Sequence, residues 1–247
     1  MRQRFISTNP MLRSIDNSVF DSTESATYNG IALKTLFLFA VLIASAFTVV
    51  TNLEFFSANY WIFFTALIGG FISVIIASFK PKVAKYFAPV YAIFEGIVIG
   101  VIATLLSFIA PGIVEVAILI TLTIFFVMLI LYITGAVRVG PFLRRLVIGA
   151  LVGLLMFTLL IMFSSVFSST IADMYYANMN FMLIISLVSA VIATLMILLD
   201  LDNCTRIVQA GAPKEYEWSA SLGLMVTIIW LFIEILRILF IFALRRD

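Results

Sequence analysis

The chain is expected to be an all-α membrane protein, a bundle of seven transmembrane helices. Seven apolar segments, 31–52, 59–79, 86–110, 113–136, 144–167, 181–201 and 218–243, each reach the roughly 20 residues that a helix needs to cross about 30 Å of hydrocarbon. Of the 247 residues, 64% are hydrophobic and 11% charged, and the mean hydropathy is +1.20. Soluble domains hold about 45–50% apolar and about 25% charged residues. The third observation is an alternation of basic residues from one connection to the next.

Residues 1–30, rich in Ser, Thr and Asn and of mixed charge, form the expected polar N-terminal tail, ahead of a membrane domain over 31–247. The tail has no apolar core of the signal-peptide kind, so the first span is expected to act as the targeting signal. The connections are short, which makes consecutive helices antiparallel neighbours. Pro81, Pro89, Pro111, Pro141 and Pro213 fall in connections or near segment ends, where a missing N–H costs little. Arg2, Arg4 and Arg13 lie in the tail. Lys80, Lys82 and Lys85 lie in the second connection, Arg138, Arg144 and Arg145 in the fourth, and Arg206 and Lys214 in the sixth. The odd connections have no Lys or Arg, only Glu54, Glu115 and Asp173. The excess of basic residues on cytoplasmic loops then places the N-terminus in the cytoplasm. Seven crossings leave Arg245 and Arg246 outside, against the same rule. A last segment that fails to cross fully is the alternative. The length of 218–243 favours a full crossing.

Several functions are excluded by what the chain lacks. It has no histidine, hence no HExxH zinc site, Ser-His dyad or His-ligated haem. It also lacks the GxGD signature of intramembrane aspartyl proteases, so no enzymatic activity and no cofactor are expected. A net charge of +2 is too small to suggest nucleic acid. The single cysteine, Cys204, excludes an intramolecular disulfide and reads as a small hydrophobe at the membrane edge. Without histidine, a pH response near neutrality has to come from carboxylates, or from that thiol.

Ten of the thirteen acids, Glu217 among them, lie in tails, connections or segment edges and are expected to be solvated. Glu95, Asp200 and Glu234 remain. Ionising a side chain at the bilayer centre costs at least about 2.5–3.5 kcal/mol, so such groups face protein or water rather than lipid. Glu95 is about ten residues into its span, beside the G-x-x-x-G of Gly96 and Gly100, which permits close approach of another helix. A structural hydrogen bond across that interface would also account for it. At 100° per residue, Ser186, Ser189, Ala190, Ala193, Ile197 and Asp200 share one face, whereas Asp202 is turned about 200° away, toward the headgroups. Gly223, Thr227 and Glu234 form one stripe, and Arg237, three residues on, is close enough to pair with Glu234. That stripe points Glu234 into an ion or proton pathway, or else into a structural Glu–Arg pair.

The stretches FKPKVAKYFAPVYAIFEGIVIG (79–100), RVGPFLRRLVIGA (138–150), LLDLD (198–202), AGAPKEYEW (210–218) and WLFIEILR (230–237) resemble the Bax inhibitor-1 family (the transmembrane Bax inhibitor motif superfamily), in its bacterial branch. NPML at 9–12 is a weaker echo. The resemblance implies a seven-helix bundle with the last helix central, in a bacterial cell membrane. It also implies a pH-sensitive Ca²⁺ leak controlled by two acids, one near the end of the sixth helix and one in the seventh. By motif these fall on Asp200, with Asp202 as the fallback, and on Glu234, where the family often has an aspartate. Glu95 and Arg237 are supporting residues.

The physics of such a pair is general. Two carboxylates facing each other in low dielectric cannot both ionise cheaply. Sharing one proton, they latch two helices. Without it they repel, or take up a cation, and hard oxygen ligands suit Ca²⁺. A turn near Gly211 sets a geometric condition. Asp200 lies 11 residues before it and Glu234 23 after, a mismatch of about 18 Å of helix rise. The acids meet only if the helix ends extend unequally, tilt or break. The competing classes are a proton-coupled transporter of a small solute and a non-conducting regulator. The regulator would bind another membrane protein, such as a quality-control protease or a death-pathway component.

Overall fold

The computed structural model describes residues 24–167 and 178–245. Arg2, Arg4, Arg13, the NPML stretch, Asp173 and Arg246 lie outside these residues. Within them are eight helices: α1 Tyr28–Thr51, α2 Leu53–Ala58, α3 Trp61–Phe79, α4 Pro81–Ile109, α5 Ile113–Ile133, α6 Pro141–Phe167, α7 Met179–Gln209 and α8 Tyr216–Leu244. All but the short α2 contain a stretch long and apolar enough to cross a membrane. The protein is an all-α, multi-pass membrane bundle, as expected.

The helices outrun the apolar segments where polar residues continue them. α4 starts at Pro81 rather than at 86, and α7 runs to Gln209 rather than to 201. Lys82, Lys85 and Arg206 are good helix formers that a hydropathy window discards. Pro81 opens its helix, where its fixed φ and absent N–H fit the first turn. Pro89 corrects the expectation for it: the longer α4 encloses it within the helix.

α8 is the central helix. It packs against α1, α3, α4, α5 and α7. Of its most apolar window 61% is buried, against 11% for α5 and for α6. Leu222, Met225, Leu231 and Ile241 on it are almost wholly enclosed. α6 is the peripheral helix, packing chiefly on α7. Phe37, Phe47, Phe64, Phe71, Phe126 and Leu160 point outward from four helices; in a membrane such residues meet lipid.

Hydrogen bonds tie like ends of the bundle together. At the basic end, Arg144 of α6 reaches Asp202 of α7, and the Tyr132 hydroxyl of α5 donates to Thr205 of α7. At the opposite end, Arg245 donates to Asn180, at the start of α7. The G-x-x-x-G of α4 seats α1, as its spacing suggested. A Cβ on Gly96 would lie 2.4 Å from the Leu42 carbonyl oxygen, and one on Gly100 2.9 Å from that of Ala46. Ser45 of α1 donates to the Ile93 carbonyl across the same seam, at 2.8 Å.

α7 and α8 are joined by a tight turn. Gly211 has φ 63°, the left-handed conformation that closes a helix, and Ala212 N donates to Ile207 O to complete the motif. Residues 24–27, part of the stretch expected to form a polar tail, lie on this turn. Ser25 forms an antiparallel bridge with Pro213, and Ala26 N donates to Ala212 O at 2.7 Å.

Candidate functional site

Asp200 sits on the face of α7 expected for it, with Ser186, Ser189, Ala190, Ala193 and Ile197 all buried. Across the interface the Thr227 hydroxyl of α8 donates to Asp200 Oδ2 at 2.5 Å. The same hydroxyl lies 3.1 Å from its own helix's Gly223 carbonyl. Gly223 faces Asp200 without a side chain, and a Cβ there would lie 3.9 Å from Oδ1. Cys204 lies one turn along α7 from Asp200. Among the described residues no ion pair reaches the aspartate.

Glu234 is placed elsewhere. It is 5% exposed, accepts from Trp230 Nε1 at 3.3 Å and pairs with Arg237 at 3.1 Å. The expected Arg237 partnership is therefore present, but no hydrogen bond joins Glu234 to Asp200. Register explains this. Asp200 is nine residues before the end of α7, and Thr227 eleven after the start of α8, so the two are level. Glu234 is eighteen after that start, roughly 10 Å beyond Thr227. Unequal helix ends do not close the gap, and the Asp200–Glu234 pairing is corrected to Asp200–Thr227.

Asp202 points away from that interface, as its angle on the helix indicated. It accepts from Arg144 at 2.7 Å and from Arg206 at 2.6 Å. Glu95 lies on the α3 side of α4, where a Cβ on Gly70 would approach its Oε2 to 3.9 Å. Tyr91, one turn earlier on the same helix, is its polar neighbour.

A fourth interior carboxylate escaped the sequence reading. Glu217 was expected to be solvated at a segment edge, yet its exposure is 0%. It pairs with Lys34 of α1 and accepts from Thr27 N at 2.8 Å and from the Thr27 hydroxyl at 3.2 Å. Gly30 leaves the room, since a Cβ there would fall 2.2 Å from Glu217 Oε1. The available signal was Lys34, a cation inside an apolar span with no acid near it in sequence. A charge in a span calls for a partner.

A central helix, short connections and an acid near the end of the sixth span are now in place, and a family model described as Bax inhibitor 1 like matches residues 9–244. The chain belongs to the Bax inhibitor 1 like family. The match covers all seven spans, the turn and the acids above. Among curated proteins no significant match was found. Within this family frame, Asp200 and Glu95 differ from Asp202, Glu217 and Glu234. The last three each have a basic partner, whereas Asp200 accepts from a hydroxyl and, among the described residues, no ion pair reaches Asp200 or Glu95.

Proposed function

We propose that this protein is a pH-sensitive cation leak, with Ca²⁺ as the cargo, in which Asp200 holds α7 to α8 or releases it according to its protonation. The observation that carries this reading is Asp200 between the two most enclosed of the described helices, engaged by one hydroxyl and, among the described residues, by no cation. Family membership supports it.

A threonine hydroxyl has one hydrogen and can also accept. With Asp200 protonated, the acid donates to Thr227 Oγ1, and the hydroxyl hydrogen goes to the Gly223 carbonyl. With Asp200 ionised, that hydrogen turns to the carboxylate and the carbonyl is released. The ionised form then carries an uncompensated charge in low dielectric. Neutralising it requires a proton or a cation, and a carboxylate with hydroxyl and carbonyl oxygens nearby is a hard-oxygen set suited to Ca²⁺. Glu234, compensated by Arg237, has a packing role in this account.

Purified protein in liposomes tests the reading. Ca²⁺ entry down its gradient, changing with pH and needing no co-solute, is expected. Flux that appears only with a saturable small solute would indicate a proton-coupled transporter. No flux at any pH would contradict the reading and favour a non-conducting regulator that binds another membrane protein.

A further inference from the structure

We propose that residues 24–27 and the Lys34–Glu217 pair form a lock on the α7–α8 turn that has to open before the Asp200 site conducts. This rests on the conduction reading above.

The lock has an outer and an inner layer. In the outer layer the strap runs antiparallel to the turn. Ala26 N donates to Ala212 O, Lys214 N donates to Glu24 O at 3.3 Å, and Lys214 pairs with Glu24 at the surface. Ala26 and Ala212 are buried between the two segments, at 3% and 0% exposure. Beneath lies Glu217, bonded to Thr27 twice and to Lys34. One turn along α8, the Ser221 hydroxyl donates to the Ile31 carbonyl of α1 at 2.8 Å.

Two features make this a lock rather than simple packing. A buried ion pair is a poor adhesive, since apolar residues of similar volume hold helices as well or better, but it fixes one arrangement and no other. The strap above it is four residues long, and beyond the two Thr27 bonds to Glu217 it is held by two backbone hydrogen bonds and an exposed ion pair, few enough to belong to the readily opened end of the stability range. When the strap lifts, Glu217 loses both bonds to Thr27 and remains a buried carboxylate with Lys34 alone.

The lock also lies where it can control the site. Asp200 and Thr227 separate only if α8 moves relative to α7. The turn joining those helices, and the first turn of α8, are the parts tied to α1. Glu217 is ten residues before Thr227 on one rigid helix, about 15 Å away, so fixing one restrains the other.

The test is a reversible cross-link in the full chain in liposomes. Ser25→Cys and Pro213→Cys, on a Cys204→Ser background, place two thiols on bridged residues, at a spacing a disulfide spans. Ca²⁺ flux is expected to fall several-fold on oxidation and to return on reduction, while Glu217→Gln in the uncross-linked chain raises it several-fold. The cross-link leaves the buried charge intact, so the test survives if Glu217→Gln fails to fold. Equal flux in oxidised and reduced protein that conducts would overturn the lock and leave the conduction reading standing. A wild-type protein passing no Ca²⁺ under any condition would overturn both.

Discussion

At the residue scale, the interior carboxylates divide by the company they keep, and the division predicts opposite behaviour. Glu234→Gln removes one half of an ion pair, so the expected result is lower stability with the pH profile of flux retained. Thermal unfolding in detergent and a flux titration check the two parts. Lys34→Met leaves Glu217 buried without its cation, and a loss on the order of 3–5 kcal/mol is expected, as for other broken buried pairs. Unfolding of Lys34→Met should therefore occur well below that of an exposed change such as Glu54→Gln. Unfolding of both variants at one temperature would mean that Glu217 finds another partner. Asp200 was legible from the 100° periodicity of α7 and the small residues sharing its face. Glu217 was not, because its partner is 183 residues away and hydropathy treats the start of α8 as an edge.

At the scale of elements, the α7–α8 hairpin decides which residue faces Asp200. The stripe Gly223, Thr227, Glu234 was visible in the sequence, and all three lie along the central helix. The stripe alone does not say which of them is level with Asp200. That depends on where α7 stops and α8 starts, and the polar residues after Leu201 conceal eight further residues of helix. The α1–α4 seam was easier to read, because G-x-x-x-G states its purpose in its spacing. Gly96→Ala pushes a methyl group against the Leu42 carbonyl, a backbone atom that cannot swing aside. Overpacking of this kind costs about 1–3 kcal/mol. The equivalent change at Gly153 of α6, where nothing lies within 4 Å, should cost far less. Comparing their unfolding temperatures tests whether the seam is as tight as described.

At the scale of the whole molecule, seven full crossings would put the two ends of the membrane domain on opposite sides. The basic junctions α3–α4, α5–α6 and α7–α8 share one end, which is expected, from the positive-inside rule, to be the cytoplasmic one. A reporter fused after Asp247 is expected to act as external and one at the N-terminus as cytoplasmic. Cytoplasmic activity at both would contradict a full crossing by α8. Fold class and helix centrality were readable because hydropathy and family motifs are local, whereas the strap and the buried ion pair join distant parts of the chain. The central claim is that the proton on Asp200 controls cation passage between α7 and α8. The most direct measurement is a Ca²⁺ flux titration in liposomes between about pH 6 and 8, a window where a chain without histidine has few other groups to titrate. The wild type is compared with Asp200→Asn, Thr227→Val, Asp202→Asn and a Cys204→Ser control. Asp200→Asn is expected to flatten the profile, Thr227→Val to shift it, and the other two to leave it in place. An unchanged profile in Asp200→Asn, or a flattened one in Asp202→Asn alone, would contradict the account.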